Sequence, residues 1–296
     1  MTAELRGVLT ALATPFASDG SIDTRVLCRL VDRSIEGGVH GVVACGSTGE
    51  FAAMTDAERR LVVETVVEHV AGRVPVVAQT GATSTAQAID LSRHAQDAGA
   101  SVVMVVAPYY EPLTLEETIV YLRTVADAVQ VPVMLYNLPA ATGVNLSPDT
   151  VGRLAREVEN IRYIKDTSAD MAQAGRLIHS YGDVIGTFVG WDSLFLAALT
   201  EGAAGVMAGT ANVMARELVS IHDSLSAGEL ERARSQWGAI YPLMDAIMSQ
   251  PFIPAVKCAL NALGFPAGDP RPPLHALDDA TAERIGSIAA STLQPA

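Results

Sequence analysis

Lys165 sits in Ile161-Arg162-Tyr163-Ile164-Lys165-Asp166-Thr167-Ser168-Ala169-Asp170, a short β-branched run that breaks into small polar residues. Side chains alternate along a strand, so Tyr163 and Lys165 share one face and Ile164 and Asp166 the other. An inward-facing lysine is removed from water, and burial disfavours the charged form of an amine. The neutral amine is the form that attacks a carbonyl to make a Schiff base. Taken alone, the stretch favours an idle lysine at a strand end, paired with a carboxylate such as Asp166, since most lysines are solvated or paired.

Other residues add chemistry. The turn Gly46-Ser47-Thr48-Gly49-Glu50 has glycines that allow close backbone approach. Its N–H groups and hydroxyls could hold a carboxylate or phosphate, or the turn could simply need positive φ at its glycines. Tyr136, in Tyr136-Asn137-Leu138-Pro139, ends a strand next to the lysine strand. A buried tyrosine usually just satisfies its O–H. Beside an imine-forming lysine it can shuttle the protons that carbinolamine formation and collapse require. Tyr109 and Tyr110 follow another strand, and each by itself reads as a packing residue. No Walker A or Gly-x-Gly-x-x-Gly pattern is present. The six histidines are scattered without zinc-ligand spacing, so no metal is expected.

These residues need elements to position them, and the chain supplies a regular alternation. Strand-like segments at 7–14, 41–45, 74–79, 101–107, 131–137, the lysine stretch, 184–189 and 205–208 alternate with helical patterns at 24–36, 55–71, 84–98, about 114–129, 147–156, 171–181, 192–200 and from about 212. Thr55 and Glu58 make a capping box. Eight βα units with near-continuous apolar strands imply a sheet buried on both faces. That pattern predicts an α/β fold, a (β/α)8 TIM barrel over 1–225. The remaining 226–296 reads as a C-terminal helical extension of three helices, with a proline-rich link at 266–273.

Composition bounds the function. The net charge of −13, with no basic run, argues against nucleic acid and anionic membranes as partners. The first sixteen residues lack the pattern of a secretory leader, and no stretch reaches the roughly 18 apolar residues of a spanning helix. Cys28, Cys45 and Cys258 are odd in number and far apart, as reduced thiols of a cytoplasmic protein would be.

The chain resembles the dihydrodipicolinate synthase / N-acetylneuraminate lyase family of Schiff-base-forming aldolases. The resemblance is carried, in order, by Gly7-Val8-Leu9-Thr10-Ala11, Thr14-Pro15-Phe16, the 46–50 turn, the Tyr136 motif and the lysine strand. The segments 205–212 (GVMAGTAN), 253–260 (IPAVKCAL) and Arg271-Pro272-Pro273-Leu274 continue it. It implies that Lys165 forms an imine with pyruvate or another 2-oxo acid. Tyr136 is then the general acid/base, and Ser47 links it to Tyr110, which reaches in from an adjacent subunit of a homo-oligomer, a dimer of dimers. Thr48 and the turn bearing Gly46 and Gly49 hold the substrate carboxylate. No cofactor is implied, because the protonated imine is itself the electron sink. Lys257 is expected to be structural.

The chain departs from the synthase pattern at several positions. Ala141 stands where synthases carry an arginine that grips the second substrate's carboxylate, and alanine has neither charge nor fork. Asp56, Arg59, Thr83 and Gln87 stand where lysine-inhibited synthases carry other residues. Gly190-Trp191-Asp192 is similar to sialic acid lyases, in which that aspartate binds a substrate hydroxyl; alternatively Asp192 caps the following helix. The expectation is a class I lyase that cleaves, forms or dehydrates a hydroxylated 2-oxo acid. The alternatives are a dihydrodipicolinate synthase and, from another class, an inactive carboxylate-binding barrel.

Overall fold

Runs of valine, isoleucine and alanine bounded by glycine or polar residues form eight short strands, and nearly every strand residue is buried. The computed structural model describes residues 5–111 and 113–293. The first four residues of the stretch read for a leader, and the last three of the extension, lie outside them. The strands are β1 (Gly7–Ala11), β2 (Gly41–Ala44), β3 (Val76–Gln79), β4 (Val102–Val106), β5 (Val133–Asn137), β6 (Ile161–Asp166), β7 (Gly186–Val189) and β8 (Gly205–Ala208). They close into a parallel barrel in sequence order, as the alternation predicts. The helices are α1 (Thr24–Glu36), α2 (Asp56–Val70), α3 (Thr85–Ala98), α4 (Leu115–Ala126), α5 (Pro139–Thr142), α6 (Pro148–Glu157), α7 (Met171–Tyr181), α8 (Phe195–Glu201), α9 (Ala211–Ser226), α10 (Leu230–Met248), α11 (Phe252–Ala262) and α12 (Asp279–Thr292).

Backbone contacts group the chain into two compact units, Met1–Gly7 with Pro75–Met207 and Val8–Val74 with Ala208–Ala296. In the first, β5 and β6 pair over four consecutive positions beyond a shift at Val133/Met134, so their C-terminal ends are in fixed register. In the second, β1 pairs with β2, and α9 to α12 follow the end of β8.

Helix starts follow local chemistry. Thr55 and Glu58 form the expected capping box, and Thr114 with Glu117 forms a second. Some boundaries differ from expectation. The first strand stops at Ala11 rather than at 14, because Thr14 turns its hydroxyl to the Gly49 carbonyl at 2.8 Å and Pro15 has no N–H to give. The helix expected to reach 129 stops at Ala126, where the N–H groups of Asp127 and Ala128 close a tightened last turn on Arg123 and Val125. The three cysteines are free thiols. No described helix is long and apolar enough to cross a membrane.

Candidate active site

The ends of β5 and β6 position the tyrosine and the lysine. Tyr136 pairs with Lys165, and Asn137 with Asp166, so strand alternation sends the first pair to one face and the second to the other. Lys165 and Tyr136 are both buried, and the lysine Nζ lies 4.2 Å from the centre of the tyrosine ring. The ion pair with Asp166 that was the idle alternative is not what this carboxylate does. Asp166 accepts hydrogen bonds from Asn137 Nδ2 at 2.8 Å, Gln173 Nε2 at 3.1 Å and Ser168 Oγ at 2.9 Å. Asn137 in turn accepts from the Leu146 N–H and donates to Asn145. Burial pushes the Asp166 carboxyl above its ordinary range, and its three side-chain donors oppose that. This network fixes the two strand ends from behind, one residue past the tyrosine and the lysine.

Gly190, just beyond β7, makes room for the amine. A Cβ there would lie 2.5 Å from Lys165 Cε and 2.3 Å from Thr167 Oγ1, closer than side-chain carbons approach one another. Tyr163 shares the lysine's face but is structural: its hydroxyl accepts from the Leu5 N–H at 3.1 Å and its ring meets Phe188 edge-on. Asp192 is buried and opens a short 3-10 turn whose N-cap is Trp191, while α8 is preceded by Leu194. Asp192 thus lies in the first turn of this short helix, where a carboxylate faces the unbonded N–H groups. Tyr110 is 82 % exposed, Tyr109 is half-buried, and Ala141 is exposed on α5.

The 46–50 turn belongs to the second unit. The left-handed residues are Cys45 (φ 57°), just before the turn, and Glu50 (φ 61°), its last residue, so the alternative of a turn that needs positive φ at Gly46 or Gly49 does not hold. Gly49 is needed for space instead: a Cβ would sit 3.0 Å from the Leu12 carbonyl. The N–H groups of Gly49 and Glu50 bond the turn's own carbonyls, those of Gly46 and Ser47. Ser47 is half-buried and Thr48 buried. Burial pushes the Cys45 thiol up to about 12, which leaves it unreactive.

Sequence reasoning assigned no role to several residues that surround this turn. Asn212 donates to the carbonyls of Ala11 and Gly209, both at 2.7 Å, and accepts from the Ala13 N–H, tying the end of β1 to the loop after β8. Gly209 leaves room for Thr48 and Phe252, whose atoms a Cβ would meet at 2.9 and 2.5 Å. The motif 205–212 held both residues, but spacing alone does not show what a small residue must avoid.

Away from these residues, His40, His222 and Asp223 bring donor atoms within 4.8 Å of one another. His40 Nδ1 accepts from the Val8 N–H at 3.1 Å, which puts the proton of its neutral ring on Nε2 and leaves that nitrogen no lone pair for a metal.

The sequence model described as the dihydrodipicolinate synthetase family matches residues 4–291. A 4-hydroxy-tetrahydrodipicolinate synthase of Methanopyrus kandleri is 38% identical over 283 residues, 95% of this chain and 94% of that one. A prophage protein of the dihydrodipicolinic acid synthase family from E. coli K12, solved in complex with pyruvate, superposes with a TM-score of 0.93 at 31% identity, covering 98% of this chain and 99% of its own. A structure described as the first monomeric dihydrodipicolinate synthase variant has a TM-score of 0.93 at 30% identity, over 97% of each chain.

Proposed function

Because the chain belongs to the dihydrodipicolinate synthetase family, we propose that Lys165 forms a Schiff base with a 2-oxo acid and that the substrate is a hydroxylated one. The protein is a lyase of the class I, Schiff-base type. The observation that carries the assignment to Lys165 is a buried lysine with its Nζ 4.2 Å from the ring of Tyr136, in space kept open by Gly190. In the proposed sequence the amine adds to the C2 carbonyl, water leaves, and the protonated imine draws electrons from the adjacent carbon. Tyr136 gives and takes the protons. Thr48 and the turn of Gly46 and Gly49 serve the substrate carboxylate, Ser47 the link from Tyr136 to Tyr110, and Asp192 a substrate hydroxyl. No cofactor is required by this sequence, and a cytoplasmic location suits it. Tyr110, exposed in the single chain, is assigned to a neighbour's site in a homo-oligomer. A fully active monomer in sedimentation at assay concentration would contradict that assignment.

The second reading is 4-hydroxy-tetrahydrodipicolinate synthase, the name carried by the Methanopyrus kandleri relative. Ala141 favours the first reading. A charge-assisted hydrogen bond contributes about 1.5–3 kcal/mol, so its loss costs roughly ten- to a hundredfold in preference for aspartate semialdehyde. We expect kcat/KM for cleavage or dehydration of a 2-keto-3-deoxy sugar acid to exceed that for condensing pyruvate with the semialdehyde. Ala141→Arg should raise the latter. Efficient condensation by the wild type, unimproved by Ala141→Arg, would favour the synthase reading.

A further inference from the structure

Buried charges of the second unit that the proposed chemistry does not use converge on Glu50. This residue closes the 46–50 turn at φ 61°, a conformation that side chains bearing a Cβ hold only when their surroundings over-determine it. Its carboxylate is what the surroundings grip. Glu50 Oε1 lies 2.7 Å from Lys257 Nζ, and Oε2 accepts the backbone N–H of Arg271 at 2.7 Å. Both side chains of the ion pair are only 1% exposed.

The gripping residues are themselves fixed. Lys257, on α11, donates to the Asp269 carbonyl at 3.0 Å and lies 4.2 Å from the centre of the Phe16 ring. The Arg271 guanidinium stacks on the same ring and donates to Gly20, Ala53 and Glu58. Hydrogen bonds from Arg271 hold the Glu58 carboxyl down at about 2. Burial lowers the Lys257 amine and Glu50 opposes the shift. The segments 14–16, 46–50, 253–260 and 271–274 thus form one cluster, although they are up to about 260 residues apart in the chain.

A buried ion pair is weak evidence for stability, since apolar replacements of both partners are often neutral or better. A pair that clamps a strained residue at the end of a ligand-binding turn has a geometric use. We propose that the Glu50–Lys257 pair, with the Arg271 N–H, positions the Ser47–Thr48 segment, so that the C-terminal extension sets the affinity for the 2-oxo acid carboxylate. This inference rests on the assignment of the turn to that carboxylate.

The test uses pyruvate and borohydride on the full chain, reading both the pyruvate concentration that gives half-maximal trapping and the rate at saturation. Lys257→Met should raise the half-saturating concentration about tenfold or more, the equivalent of one lost hydrogen bond. The saturated rate should stay within about threefold of wild type. Glu50→Gln/Lys257→Met leaves no buried charge unpaired and is read by the same criterion if the single variant does not fold. An unchanged half-saturation in a folded variant overturns the inference, as does failure of both variants to fold, which would make the pair a requirement of the fold. A wild type that pyruvate does not label would instead overturn the Schiff-base reading itself.

Discussion

Tyr136→Phe should still form the imine on Lys165 but turn over about 10²–10⁴ times more slowly, the usual worth of one positioned acid–base group. The expectation comes from the register of β5 and β6, which sets Tyr136 directly beside Lys165. The ring face lies 4.2 Å from the amine, and phenylalanine keeps that face while removing the hydroxyl. Packing should therefore be nearly unchanged, and the loss should fall on proton transfer. The kinetic signature is a large drop in kcat with borohydride trapping retained. Near-wild-type turnover would place the proton shuttle elsewhere.

Gly190→Ala should lower kcat/KM by about 10²-fold, the scale expected when a reacting group is misplaced by about 1 Å. The added methyl would lie 2.5 Å from Lys165 Cε and 2.3 Å from Thr167 Oγ1, so one or both must move. The lysine chain is the more flexible neighbour, and its displacement carries the amine away from Tyr136. Overpacking of this kind costs typically about 1–3 kcal/mol in stability, which a chain of this size survives. Trapping rate and melting temperature separate the two effects. A variant that traps pyruvate at the wild-type rate would show that the lysine does not need the space.

The barrel was legible because its strands are covered on both faces and therefore read as unbroken apolar runs, as in Val102–Val106. Lys165 and Tyr136 were legible because a strand period of two places residues without knowledge of the rest of the fold. The left-handed residues were not, because Cys45 and Glu50 carry side chains for which positive φ is rare, and composition points to the neighbouring glycines. Gly190 and Gly209 were opaque for a related reason: what they make room for arrives from other strands and helices. Lys257 was expected to be structural, but its partner Glu50 lies 207 positions earlier, beyond any local pattern. Asp192 offers two uses on sequence grounds, a substrate hydroxyl and the start of a helix, and its place in the first turn of a 3-10 helix is compatible with both.

The most direct measurement is peptide mapping after pyruvate and borohydride treatment of the wild type and of Lys165→Ala. The account predicts one covalent adduct, on Lys165, and none in Lys165→Ala, with Lys257 unlabelled because Glu50, the Asp269 carbonyl and Phe16 surround its amine. Labelling that persists in Lys165→Ala, or that maps to Lys257, would contradict it.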